Sequence, residues 1–294
     1  MIFVVLALLG LCAGSFISAL VWRVRQQERL AVSSSRLAKT IKRGLPTANS
    51  QQPTAQDHSI LKGRSQCPYC RHTLAWYDLI PLLSWVILRG RCRYCSQSIS
   101  WQYPAIELSA AAVFVISYSY WPGGVYGVGD WVLLTTWLAT SVGLLALFVY
   151  DLRWMMLPNR IIYPTLVVAV AGRLIYLVSL ETDIDSAIAN WALSVLVASG
   201  FFWLIYMASS GKWIGYGDVR LGLITGTILA DPLLSLLMIF VASVLGSLVA
   251  VPALATGRKH IGSRLPFGPY LIAATFLVLI FGQTVTDSYK RLLE

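Results

Sequence analysis

Charge is scarce in this chain: 12% of its 294 residues are Asp, Glu, Lys or Arg, against about 25% in a soluble domain. That shortage excludes an ordinary water-soluble globule and points to lipid as the main solvent. Histidine is scarcer still, with only His58, His72 and His260, all in polar stretches. No His or Glu pair with metal-ligand spacing lies near the acids inside the apolar runs, so a catalytic metal of the usual kind has no ligands there. There is no Gly-x-Ser-x-Gly, which leaves a serine hydrolase without support. Period-two alternation is missing, which argues against a membrane β-barrel. No basic residue precedes the first apolar run, so that run reads as a retained span rather than a cleavable signal. Cys12 follows a bulky Leu11 and reads as a small apolar packing residue, not a lipid attachment point.

What the chain has in abundance is apolar sequence: 57% of its residues are hydrophobic, in blocks near 2–22, 104–121, 131–150, 161–180, 187–208, 218–230, 233–255 and 266–283. About 20 apolar residues cross a bilayer core, and backbone polar groups in lipid must pair within the segment. The blocks therefore predict an all-α polytopic membrane protein with about eight spans. The net charge of +10 is explained by orientation rather than by nucleic acid. Residues 23–103 hold 13 of the 23 Lys and Arg, and alternation of spans puts 20 of the 23 on that same face. The opposite loops carry Asp130, Glu181, Asp183, Asp185 and Asp231 and no Lys or Arg. The positive-inside rule then puts 23–103 in the cytoplasm and both termini outside. Four regions are expected: a first membrane helix at 1–23, a flexible basic insert at 24–66, a cysteine-rich cytoplasmic domain at 67–103, and a seven-helix membrane domain at 104–294. The insert is rich in Ser, Thr, Gln, Lys and Arg, a composition that buries too little apolar area to order itself. Contact with anionic lipid is a second reading of its charge.

Cys67-Pro-Tyr-Cys70 and Cys92-Arg-Tyr-Cys95 are two Cys-x-x-Cys knuckles separated by 21 residues. Such a pair closes a tetrahedral four-cysteine zinc site, and a reducing cytoplasm disfavours the competing disulfides. With no open ligand position the zinc would be structural, stapling a unit too small to fold alone. Arg71, Arg89, Arg91 and Arg93 surround it. They suit lipid headgroups beside a membrane, or nucleic acid if the unit is a binding ribbon. Trp76 to Trp85 between the knuckles is too apolar for a loop and too short to span, as expected of an interfacial segment.

Three acids, Glu107, Asp151 and Asp218, sit within or at the edge of apolar runs, where an ionisable group is costly and a functional candidate by default. Asp151 ends its run, where the helix dipole disfavours a carboxylate; a salt bridge to Arg153 or Arg160 is the plain alternative. Asp218 lies in Gly215-Tyr216-Gly217-Asp218, where it could simply cap a helix. The charge count places both at the cytoplasmic end of their helices. Two carboxylates brought together share a proton, so one activates water while the other hydrogen-bonds the developing oxyanion, as in aspartic proteases. Gly215 and Gly217 would let a substrate backbone approach closely.

The motifs then run in a telling order: Gly14-Ser15-Phe16, the two knuckles, Ile80-Pro81-Leu82-Leu83-Ser84-Trp85, Leu88-Arg89-Gly90-Arg91-Cys92, Tyr103-Pro104-Ala105-Ile106-Glu107, Asp151 with Leu157-Pro158-Asn159, Gly215 to Leu221, and Leu265-Pro266-Phe267-Gly268-Pro269. In this order the chain resembles the bacterial prepilin peptidases, polytopic aspartic peptidases of the Gly-x-Gly-Asp type. The resemblance implies Asp151 and Asp218 as catalytic residues in the bacterial cytoplasmic (inner) membrane. It implies type IV prepilins or pseudopilins as substrates, cut on the cytoplasmic side after the glycine that ends a basic leader. It also implies N-methylation of the new terminus with S-adenosylmethionine, to which Gly90 and Glu107 correspond by position. Asn159 and Arg220 stand where many members have Asp and Lys, and the 24–66 insert is longer than the family's usual one. No Gly-rich strand–turn–helix fingerprint for the methyl donor is present, so methylation rests on the resemblance. A peptidase without methylation is the near alternative. A membrane transporter using the intramembrane acids is the alternative of a different class, and it would need acids near mid-bilayer and broken helices; a nucleic-acid module would show steep salt dependence, and no nucleic-acid partner is expected.

Overall fold

A computed structural model describes residues 1–42, 65–179, 183–256 and 266–293. Every expected apolar run forms a helix: α1 (Ile2–Lys42), α3 (Gln102–Ser119), α4 (Val128–Trp154), α5 (Asn159–Val178), α6 (Ile184–Ala208), α7 (Tyr216–Leu229), α8 (Pro232–Ala255) and α9 (Gly268–Leu293), with a short α2 (Leu83–Ile87) between the knuckles. Six of these, α1, α4, α5, α6, α8 and α9, are each long and apolar enough to cross a membrane. α3 and α7 are shorter, and the 14 residues of α7 reach only about 21 Å. No β-strand occurs among the described residues, only two isolated bridges.

α1 departs from expectation. It does not stop near Arg23 but runs on through Lys42, so 24–42 is helix rather than flexible insert. Its length of about 60 Å is twice the hydrocarbon core. The polar half is rich in Arg, Gln, Glu, Leu and Ala, which are good helix formers, and Arg25 and Glu28 pair one turn apart at 3.8 Å. The low apolar content that suggested disorder excludes burial, not helix. The remainder of the expected insert, 43–64, lies outside the described residues.

The chain divides into two compact units, Met1–Ala112 and Val113–Glu294, a boundary inside α3 rather than before it. In the first unit α1 meets α3 through glycines. A Cβ on Gly10 would lie 2.5 Å from Ala111 Cα, and one on Gly14 would lie 2.4 Å from Glu107 Cα. This small-xxx-small seam brings backbones together, as membrane helices require when lipid provides no hydrophobic drive.

The second unit packs by the same means. On α7, Gly222 and Gly226 press against the α6 backbone, where an added Cβ would meet Ala198 O and Val195 Cα at 2.8 Å. Ser194 Oγ donates to Gly226 O at 2.8 Å, and Ser199 Oγ donates to Val219 O at 3.0 Å. The interior is rich in small polar residues (Thr140, Ser194, Thr225, Ser235 and Thr275 are buried), while Leu196, Leu204, Phe240 and Leu248 are exposed. Large apolar side chains on the surface, with hydroxyls bonded to helix backbones inside, suit a lipid surround.

Candidate active site

Asp151 occupies the last turn of α4. Met155 closes that helix in a left-handed conformation, φ 51°, donating its amide to Asp151 O at 2.8 Å. Pro158 then opens α5, so Leu157-Pro158 turns the chain sharply beside the acid. Asp218 is in the first turn of α7. It does not cap the helix: Gly215 is the N-cap, and its carbonyl accepts the Asp218 amide at 3.1 Å. Both carboxylate residues are buried, Asp151 at 4% and Asp218 at 9% exposure. They are close enough to interact electrostatically, although 67 positions separate them in sequence.

Three glycines make this meeting possible. Gly217 lies against Leu157, where a Cβ would sit 3.0 Å from that side chain. Gly268 faces both Leu157 and Asp151; its Cβ would lie 2.7 Å from Asp151 Oδ2. The Gly268 backbone lies beside the Asp151 carboxyl, and the Gly215 backbone lies beside that of Asp218. Gly268 is the first residue of α9. The positive end of that helix therefore offsets the adverse dipole of α4 at Asp151. Among the described residues no ion pair joins Asp151 to Arg153 or Arg160, and what faces its carboxyl is this helix terminus. Next to the pair, Arg220 Nη1 donates to Asn159 Oδ1, tying α7 to the start of α5. Arg220 also lies over the rings of Tyr216 at 4.6 Å and Tyr163 at 5.8 Å.

Gly268 carried no assigned role in the sequence. Its only physical signal was a Gly-Pro at the head of a long apolar run, where an unobstructed helix N-terminus is available. Which carboxylate it faces depends on packing alone.

The four cysteines come together as expected: Cys67, Cys70, Cys92 and Cys95 place their sulfurs within 4.8 Å of one another. All four thiols are free. The two knuckles share one hydrogen-bond pattern. Cys67 N donates to His72 O and Leu74 N to Ser65 O, and likewise Cys92 N to Gln97 O and Ile99 N to Gly90 O. Arg71 and Ser96, each just after the second cysteine, both have φ 57°. Cys67 Sγ and Cys95 Sγ are 3.8 Å apart, which equals the edge of a tetrahedron with metal–sulfur bonds of about 2.3 Å. The donor set thus fits a tetrahedral metal ion. The arginines have divided roles. Arg93 is bound to Asp78 at 2.8 Å and lies over Tyr77, whereas Arg71, Arg89 and Arg91 are exposed. Tyr94 also donates to Asp78 at 3.1 Å. Desolvation alone would raise the Asp78 pKa, but hydrogen bonds from Arg93, the Ala75 amide and Tyr94, with the Arg93 charge, together outweigh it and hold the carboxyl below its ordinary value.

Glu107 and Gly90 hold the two ends of α2. Glu107 Oε2 accepts the amide of Leu82 at 2.7 Å, the residue that begins α2 with φ 59°. Gly90 follows α2 with φ 68°, and a Cβ there would touch the Trp85 ring at 3.0 Å. Trp85 in turn donates to Ile99 O at 3.2 Å. Gly90→Ala is therefore expected to destabilise this unit by about 1–2 kcal/mol, the cost of a left-handed Cβ. The check is chelator titration of the metal, which should leave the variant at a lower chelator concentration than wild type.

Fold and site define a polytopic helical membrane protein with a carboxylate pair at one end of its bundle and a cluster of four thiols close enough to hold a metal ion. Residues 8–121 match the bacterial peptidase A24 N-terminal domain, and residues 138–251 match the type IV leader peptidase family. The chain belongs to that family and is an enzyme. It is 30% identical to the prepilin leader peptidase/N-methyltransferase of Stutzerimonas stutzeri over 98% of this chain and 94% of that protein. It is 31% identical to the protein of the same name from Bacillus subtilis over 80% of this chain and 88% of that protein. The Pseudomonas aeruginosa relative of that name is 29% identical over 97% and 92%. No solved structure matches the chain.

Proposed function

We propose that this enzyme removes the leader of type IV prepilins or pseudopilins by aspartic catalysis at Asp151 and Asp218, on the cytoplasmic face of the bacterial inner membrane. The observation that carries the reading is the burial of two interacting carboxylates at abutting helix ends, with the glycine backbones of residues 268 and 215 beside them. The ionised member takes a proton from water, and the water oxygen bonds to the scissile carbonyl carbon. The protonated member donates to the carbonyl oxygen. The tetrahedral intermediate then collapses as the C–N bond breaks and a proton passes to the leaving amine. The pair titrates as a unit, so the two roles belong to the dyad. The exposed Gly215 backbone beside Asp218 offers an edge to an extended substrate, with Gly217 packed against Leu157 next to it. The uneven charge of the loops supports N- and C-termini outside.

Zinc is the ion we assign to the four cysteines, as a structural staple. The relatives' names support a second activity, N-methylation with S-adenosylmethionine. Glu107 and Gly90 serve it here as positioning residues that frame α2. Their groups are engaged with the backbone and with Trp85, so no donor contact is assigned to them.

Incubation of the purified enzyme with a full-length prepilin tests both activities, read by mass spectrometry of the product N-terminus. Cleavage after the leader's glycine, plus one methyl when the donor is added, is the expected result; an intact substrate rejects the peptidase reading. Gly268→Ala should push the Asp151 carboxylate aside and lower kcat about 100-fold with little change in KM. Unchanged kcat would remove Gly268 from the site.

A further inference from the structure

The second unit contains a cavity of about 300 Å³ at the end of the bundle opposite the aspartate pair. Its origin is the shortness of α7. From Asp218 to Asp231 the chain advances about 20 Å, whereas α4 covers about 31 Å between Asp151 and Asp130. The α7–α8 turn therefore lies roughly 10 Å below the start of α4. Ala230 makes the turn with φ 48°, and Asp231 and the facing ends of α4, α5 and α9 line the recess.

The recess is charged. Asp130 Oδ2 accepts the amides of Tyr126 and Gly127 at 3.1 and 3.0 Å. Asp231 Oδ1 accepts those of Leu233 and Leu234 at 2.7 and 3.1 Å. Each acid has its second oxygen without a hydrogen-bond partner among the described residues. Arg173 enters from α5 with its guanidinium 5.0 Å from the Tyr176 ring centre, and its buried Nε has no hydrogen-bond partner. Among the described residues no ion pair joins Arg173 to either aspartate. One cation and two acids thus line a common space with no ion pair among them in the described residues.

We propose that this cavity binds the phosphoethanolamine headgroup of a membrane phospholipid. The phosphate would accept from the Arg173 guanidinium, and the primary ammonium would donate to the free oxygens of Asp130 and Asp231. A molecule carrying both charges satisfies all three groups, which a simple anion or cation does not. The depth of the recess matches the polar interface that flanks the hydrocarbon core. Trp121, Trp137 and Tyr176 in its wall are the residue types enriched at that level.

The test is native mass spectrometry of the purified full-length protein in detergent, titrated with phosphatidylethanolamine, phosphatidylglycerol and phosphatidylcholine of the same acyl chains. One phosphatidylethanolamine per chain should be retained, about tenfold more strongly than the other two, which lack the N–H donors. Arg173→Gln should lower that retention about tenfold. Asp231→Asn keeps a good helix cap but removes a charge, and should abolish the preference over phosphatidylglycerol. Leader cleavage by both variants serves as the folding control. Equal retention of the three lipids by wild type, or unaltered retention in Arg173→Gln, would mean a water-filled cavity and overturn the proposal. Equally strong competition by soluble phosphoethanolamine would reject a lipid as the source.

Discussion

Asp151→Asn and Asp218→Asn should each reduce leader cleavage by about 1,000-fold or more while leaving the helical fold intact. Asparagine keeps the shape of the side chain but can neither accept the proton from water nor alternate between donor and acceptor. General acid–base catalysis alone contributes up to about 10⁴-fold, and a dyad that acts as one unit loses nearly all of it when either member fails. The double variant should therefore be scarcely slower than either single one. The fold should survive because Asn is isosteric with Asp and removes no packing at either helix end. Circular dichroism and thermal melting check the structure, and timed prepilin cleavage checks the rate. A tenfold loss or less in either single variant would count against aspartic catalysis by this pair.

Replacing Cys67 and Cys92 together with serine should empty the metal cluster and unfold the segment around it. Between residues 65 and 100 the only buried residues are Cys67, Gly90 and Cys92. There is no apolar core to substitute for a metal, whose binding supplies about 10 kcal/mol or more in comparable sites. Wild type should carry about one zinc per chain and resist trypsin at Arg71, Arg89 and Arg91. The double variant should carry almost none and be cut there readily. Methyl transfer should disappear with the unit, whereas leader cleavage, assigned to a separate compact unit, should largely persist. Elemental analysis, limited proteolysis and product mass spectrometry read these outcomes independently. A variant that retains its protease pattern would show that the metal is not what holds the segment.

The helices were legible because lipid imposes an unusually simple code. Every apolar run long enough to matter has to satisfy its backbone internally, and each became a helix. The cysteine cluster was legible for a related reason: ligand spacing within each knuckle is local, and tetrahedral closure permits few other arrangements. The polar half of α1 was misread because composition reports burial, whereas a helix can form on propensity, here with Arg25 and Glu28 paired one turn apart. The domain boundary was placed before α3 because apolar runs do not reveal how contacts divide along one helix.

By itself the sequence determined the helical elements and the uneven distribution of charge, and it singled out two acids as candidates. All follow from local chemistry: apolar length, ligand spacing and the cost of an ionisable group in lipid. Only the tertiary structure decided what faces those acids. Asp151 was an adverse carboxylate at a helix end until α9 placed the Gly268 backbone against it. Asp218 had a cap to serve until Gly215 proved to be the cap. Interacting dipoles from segments over 100 residues apart depend on helix crossings, and those crossings are set by where glycine lets two backbones touch.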